Sequence, residues 1–167
     1  MHISTMKEKL DIFTGKLATK LPPPFSAYYG EKKYMFVSYA HKDSEIVFPV
    51  LEMLHKKGVR LWYDEGLQAG QDWFKFMEQK ILGCAGFLVF LGNFFFASPH
   101  AMKELEFAHD EKKGVIGISI DKTETPTRLD SIFDEKSGFK INVNYPELYD
   151  IVLDKIKKID KEIIESS

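Results

Sequence analysis

Phe87-Leu88-Val89-Phe90-Leu91 is apolar at every position, and this run constrains the fold more than any other feature of the chain. A stretch of strand length without alternation is buried on both faces, as central strands of parallel sheets are. Similar runs recur at 34–39, 59–63, 115–120 and, more weakly, 139–143. Helical periods separate them. Residues 44–57 follow a cap at Asp43 and are closed by Gly58, while Trp73, Met77 and Ile81 mark a helix capped by Asp72. Ser98-Pro99 starts a third helix that runs to about Lys113, with the hydroxyl as cap and proline in first position. The last helix carries Leu148, Val152, Ile156, Ile159 and Ile163 on one stripe. Strands that alternate with helices need crossover connections. The expected fold is therefore α/β: a flavodoxin-like, doubly wound three-layer sandwich with a five-stranded parallel sheet.

Ahead of this pattern, Ile3, Met6, Leu10, Phe13 and Leu17 recur at helical spacing until Leu21-Pro22-Pro23-Pro24, which cannot continue a helix. Residues 1–30 thus read as an amphipathic helix and Pro-rich linker, and residues 31–167 as the main domain. The single cysteine, Cys84, excludes an intramolecular disulfide and a cysteine-based zinc site, and it reads as a small buried apolar residue. With 23 basic and 25 acidic residues, the chain has no electrostatic footprint for nucleic acid or anionic lipid. Charged residues interrupt the first twenty positions, and the longest apolar stretch is too short to cross a bilayer. The expectation is a cytoplasmic domain with no membrane, nucleic-acid or metal partner.

In such sheets, ligands bind beyond the carboxyl ends of the strands, where the winding direction reverses. Ser38, Tyr39, Ala40 and His41 would reach that crevice from the first strand, and Gly92 and Asn93 from the third. The loop between Asp64 and Gly70 could close over it as a mobile lid, and the helix after Ser98 would face it. A phosphoacceptor site fails, because the third strand ends Leu91-Gly92-Asn93 without an aspartate. A phosphate cradle fails too, because Ala40-His41-Lys42-Asp43 lacks glycines. Ala101, Leu105 and Ala108 define the buried face of the helix after Ser98, and Glu104 falls at its border, one turn after His100. Such a carboxylate is either a solvated edge group or leans into the crevice with its pKa raised by desolvation. Periodicity does not separate the two.

Four segments in register resemble the Toll/interleukin-1 receptor (TIR) domain family in its bacterial style. Phe36-Val37-Ser38-Tyr39-Ala40-His41-Lys42-Asp43 is similar to its first-strand motif. Leu61-Trp62-Tyr63-Asp64 with Gly70-Gln71-Asp72-Trp73 resembles its second strand and BB loop. Leu88-Val89-Phe90-Leu91, then Ser98-Pro99 through Lys103-Glu104-Leu105, resemble its third strand and the helix bearing its glutamate. The resemblance runs from about Lys33 to the C-terminus.

The resemblance implies one of two activities. One is cleavage of NAD, with release of nicotinamide and formation of ADP-ribose or a cyclic isomer, in bacterial immune (antiphage) signalling. The other is a non-enzymatic adaptor that self-associates. A related nucleotide N-glycosidase or base-exchange enzyme would use the same carboxylate. In the enzymes that carboxylate is essential, and it maps onto Glu104. The nicotinamide of NAD is a cation, so it departs neutral without a general acid, and one carboxylate beside the ribose suits the oxocarbenium-like transition state. NAD would be substrate, and no cofactor is implied.

Trp73 matches an aromatic position near the nicotinamide, although it also fits a helix core with Met77 and Ile81. Ser38, Tyr39, Ala40 and His41 would line the pocket, with Gly70 in the loop. Asp64 would hold the loop or contact ribose, and Ser98 is first a helix cap. His100 stands where several family enzymes carry a tryptophan, which puts the linear or cyclic nature of the product in doubt. Phe94-Phe95-Phe96 could supply the aromatic surface instead, or serve as core or as a self-association patch. Expected partners are NAD, further copies of the chain, and an upstream sensor or downstream effector protein.

Overall fold

The computed structural model describes residues 21–65, 73–134 and 138–165. The amphipathic helix expected before residue 21, Gly70 and the Asp72 cap lie outside the described residues. The strands are β1 (Met35–Ser38), β2 (Leu61–Tyr63), β3 (Gly86–Leu91), β4 (Gly114–Ser119) and β5 (Gly138–Asn142). The main helices are α1 (Ser44–Lys56), α2 (Trp73–Gly83), α3 (Pro99–Asp110) and α4 (Leu148–Ile159). All neighbouring strands pair in parallel, in the order β2-β1-β3-β4-β5. That is the flavodoxin-like order, and its winding reverses between β1 and β3. Helix α1 packs against α4, and α2 against α3, as the two outer layers.

The continuous apolar runs are buried throughout: β1, β2 and β3 have no exposed position. Register sets Phe36 opposite both Trp62 and Phe87. The rings follow it, with Phe36 and Phe87 stacked at 5.1 Å and Phe36 and Trp62 at 5.0 Å. Aromatic pairs of this kind add about 0.5–1.5 kcal/mol each beyond area burial. Cys84 is buried, and burial pushes its thiol up to about 11.

Several element ends differ from expectation for local reasons. Asp43 occupies the position before α1 but makes no capping bond, because it is the buried last residue of a 3-10 turn, His41–Asp43. Gly58 does end α1, with φ +91°. Val59 is not part of β2; it forms an isolated antiparallel bridge with Ile164. Helix α3 stops at Asp110, and Lys112 just beyond it takes a left-handed conformation with φ 60°. Its buried face is Met102, Leu105 and Ala108, which leaves Ala101 half-buried at the side. Ile163 is absent from the last helix because Asp160 breaks it in extended conformation and caps a separate turn, Lys161–Ile163, at Glu162 N.

The stretch expected as linker continues onto the domain. Phe25 stacks on His55 at 4.0 Å, and Tyr28 N donates to Leu61 O at 2.9 Å along the open edge of β2. Tyr63 donates its hydroxyl to the Phe25 carbonyl. Among the described residues, no helix is long and apolar enough to cross a membrane.

Candidate active site

The reversal between β1 and β3 opens a crevice at the carboxyl ends of the strands, and a cavity of about 560 Å³ occupies it. Ser38, Tyr39, Ala40 and His41 reach it from β1 and the turn that follows. Tyr39 donates its hydroxyl to the Asp64 carbonyl oxygen at 3.0 Å, and His41 Nε2 lies 3.5 Å from Asp64 Oδ2. These contacts tie the exit of β1 to that of β2 and place Asp64 at the cavity wall.

Helix α3 forms the opposite wall. Ser98 Oγ accepts from Ala101 N at 3.1 Å, a side-chain cap that satisfies one of the free amides of the first turn. The cap fixes the start of the helix, so His100, Ala101 and Glu104 line the cavity together with Ser98 itself. From α2 come Trp73, half-buried, and Met77, buried. Trp73 thus joins the cavity while packing 5.4 Å from Phe76.

Glu104 is the chemically distinctive group. Its side chain is only 11% exposed, and Oε2 is buried without a hydrogen-bond partner among the described residues. Burial, with a smaller contribution from the Asp64 charge, raises its carboxyl from 4.5 to about 8. A displacement of that size disfavours the ionised form by on the order of 5 kcal/mol. The carboxyl is therefore mostly neutral at pH 7, with no group among the described residues to compensate the missing hydrogen bond.

His100 Nε2 stands 3.6 Å from Glu104 Oε1, and among the described residues it too is buried without a hydrogen-bond partner. Desolvation and then Lys103 lower its pKa, so the imidazole is neutral at pH 7. Phe74 presents a T-shaped contact to the ring at 4.5 Å. Beyond this pair, a second cavity of about 610 Å³ opens between α2 and α3, bounded by Phe74, Glu78, Ile81, Pro99, Lys103 and Phe107. Met77, His100 and Glu104 border both cavities.

The structure therefore brings together Ser38, Tyr39, Ala40, His41, Asp64, Trp73, Ser98, His100 and Glu104. Gly92 and Asn93 do not line the cavity. A helical turn, Asn93–Phe96, begins at once after Gly92, and Asn93 N donates to Asp121 Oδ2 at 3.0 Å. In that turn Phe95 is core, whereas Phe94 is exposed and lines the cavity. Sequence reasoning missed Lys42, whose Nζ lies 5.1 Å from the centre of the Phe94 ring at the cavity wall. Its place one residue after His41 was the available signal.

A sequence model of the TIR domain matches residues 35–143. Over 74 residues, 43% of this chain, the sequence is 35% identical to NAD(+) hydrolase TcpA of Theionarchaea archaeon (strain DG-70-1). That match covers 22% of the relative, so the chain spans less than a quarter of its length. The TIR domain of the Toll-related receptor TRR-2 from Hydra magnipapillata superposes with a TM-score of 0.54 and 15% identity, over 77% of this chain and 96% of that one. The CMP N-glycosidase BcmB of Clostridium botulinum superposes with a TM-score of 0.55 and 22% identity, over 73% and 98%. At these identities the two structures show a shared fold.

Proposed function

This chain belongs to the TIR domain family, and from that premise we propose that it cleaves NAD between nicotinamide and ribose C1′, with Glu104 as the essential carboxylate. The observation that carries the reading is Glu104 Oε2, buried and unpartnered at a cavity wall. The partial match to an NAD(+) hydrolase supports it.

A group neutral in the empty site becomes a carboxylate when a cationic nicotinamide riboside sits beside it, because the cation favours the charged form. As the C1′–N bond lengthens, positive charge moves from the ring to the ribose. Glu104 then stabilises the oxocarbenium-like centre in a water-poor site, where the attraction is strong. Trp73 and Phe94 offer aromatic faces for a base, and Lys42 a cation for the two phosphates. Asp64, held by His41 and Tyr39, is placed to accept from ribose hydroxyls. Self-association and an upstream sensor would govern the activity, and a place in antiphage signalling rests on the resemblance alone.

A second reading has one observation in its favour. A neutral nucleobase departs with an electron pair and needs a proton, which a carboxyl with a pKa of about 8 supplies at pH 7. Cleavage of a nucleoside monophosphate would use Glu104 as the acid, and the CMP N-glycosidase shares this fold.

Both readings are tested by incubating concentrated protein with NAD or with CMP and following released nicotinamide or cytosine by chromatography. Turnover of NAD that is lost in Glu104→Gln supports the first reading. Turnover of CMP alone supports the second, and turnover of neither leaves the adaptor role.

A further inference from the structure

Glu104 is enclosed, but its neighbour one turn back is not. Its side chain is 11% exposed, whereas that of His100 is 41% exposed. His100 therefore reaches from a buried nitrogen to the surface: Nε2 lies inside, 3.6 Å from Glu104 Oε1, while the side chain as a whole is 41% exposed. The separation is slightly longer than a hydrogen bond, and a small side-chain rotation closes it. Phe74 against the ring limits its tilt from the α2 side.

We propose that His100 is the proton relay between Glu104 and solvent. The inference rests on the NAD-cleaving reading and gives a second role to the same site. Hydrolysis of NAD yields nicotinamide, ADP-ribose and one proton. The C1′–N bond breaks and its electron pair goes to the nicotinamide nitrogen. A bond from water oxygen to C1′ forms, and one water proton passes to the Glu104 carboxylate. That proton returns Glu104 to its neutral resting form, which must lose it before the carboxyl can act on the next NAD. When the next cationic substrate binds, Glu104 passes the proton to His100 Nε2 and the imidazolium releases it to solvent, so each turnover returns both groups to their resting states with no further reactant. An imidazole held below its ordinary pKa by desolvation carries a free lone pair at pH 7 with which to accept the proton.

The charged groups around the pair fit this role. Asp64 and His41 face Glu104 from the exits of β1 and β2, and Lys42 lies in the turn after β1. Glu78 lies on the α2 side of the second cavity, and Lys103 is on α3 itself. Lys103 disfavours a lasting imidazolium. Asp64 disfavours a lasting Glu104 carboxylate. The proton is thus held at Glu104 in the resting state and occupies His100 only in passing.

The test is His100→Gln in the full chain. Its kcat for NAD should fall about 10–100-fold, the scale of proton-transfer catalysis, with KM changed less than about threefold. Added imidazole should restore part of the rate in the variant and leave the unaltered protein unaffected. A rate equal to that of the unaltered protein, or a loss that imidazole does not relieve, would overturn the relay. Carbon NMR of the Glu104 carboxyl in the free protein separates this from failure of the functional reading. The signal should show a second, acid step as His100 titrates, and the step should vanish in His100→Gln. A coupled titration without NAD turnover would retire the proposed function and keep the proton pair. Absence of the step would retire the relay.

Discussion

The hydroxyl of Tyr39 donates to the backbone carbonyl of Asp64 at 3.0 Å, so the last residue of one strand exit holds the first residue of another. Burial pushes the Tyr39 phenol well above its usual value, which keeps it a donor at every pH the protein meets. Because Asp64 also faces His41 at the cavity wall, this bond joins the two strand exits that border the crevice.

Tyr39→Phe removes the donor and leaves a carbonyl without that partner. The variant should lose about 1 kcal/mol of stability in urea unfolding. Its KM for NAD should rise while the pH profile keeps its shape.

Stability should depend on Glu104 in a direction opposite to that of a paired carboxylate. Its folded pKa, about 8, lies above the ordinary 4.5, so its full contribution is present below pH 4.5 and is lost as pH rises through 8. Glu104→Gln has no such loss. The variant should match the parent in thermal unfolding at pH 4–5 and exceed it by a few kcal/mol at pH 9. An equal difference at both pH values would contradict the assignment.

The two readings of the reaction predict opposite pH profiles. If the carboxylate is the active form, kcat/KM for NAD rises with pH and levels off above about 8. If the neutral acid is the active form, the rate with CMP falls across the same interval. Initial rates between pH 6 and 9 distinguish the two.

In the proposed reading Lys42, at the cavity wall, serves the phosphates rather than bond cleavage. Lys42→Ala should raise KM for NAD about tenfold, equivalent to about 1.4 kcal/mol, with kcat changed little. A drop in kcat at unchanged KM would assign it to the reacting centre instead.

Strand order could be read from the sequence because burial on both faces leaves a local trace: β3 admits no polar residue, and the helices between strands force parallel pairing. The ends were less legible because they are set by distant partners. Val59 pairs with Ile164, more than a hundred positions away, and Asp160 rather than the apolar stripe decides where α4 stops. Glu104 shows the same limit. Periodicity put it at the edge of the α3 face, but its enclosure depends on α2 lying alongside with Met77 and Ile81, a tertiary contact with no signature in the α3 sequence. The resemblance identified the glutamate, and packing explains why it is neutral. Lys42 leaves no such trace, because a phosphate cradle is recognised by its backbone glycines, whereas here the lysine side chain lines the cavity.

Among the described residues, the cavity between α2 and α3 meets the crevice at Met77, His100 and Glu104. A compound lodged there would press on the Glu104 carboxyl from behind while the crevice stayed open. Inhibition would then be non-competitive toward substrate, and selectivity among related domains would follow Phe74, Phe107 and the histidine at position 100 instead of any nucleotide-like feature.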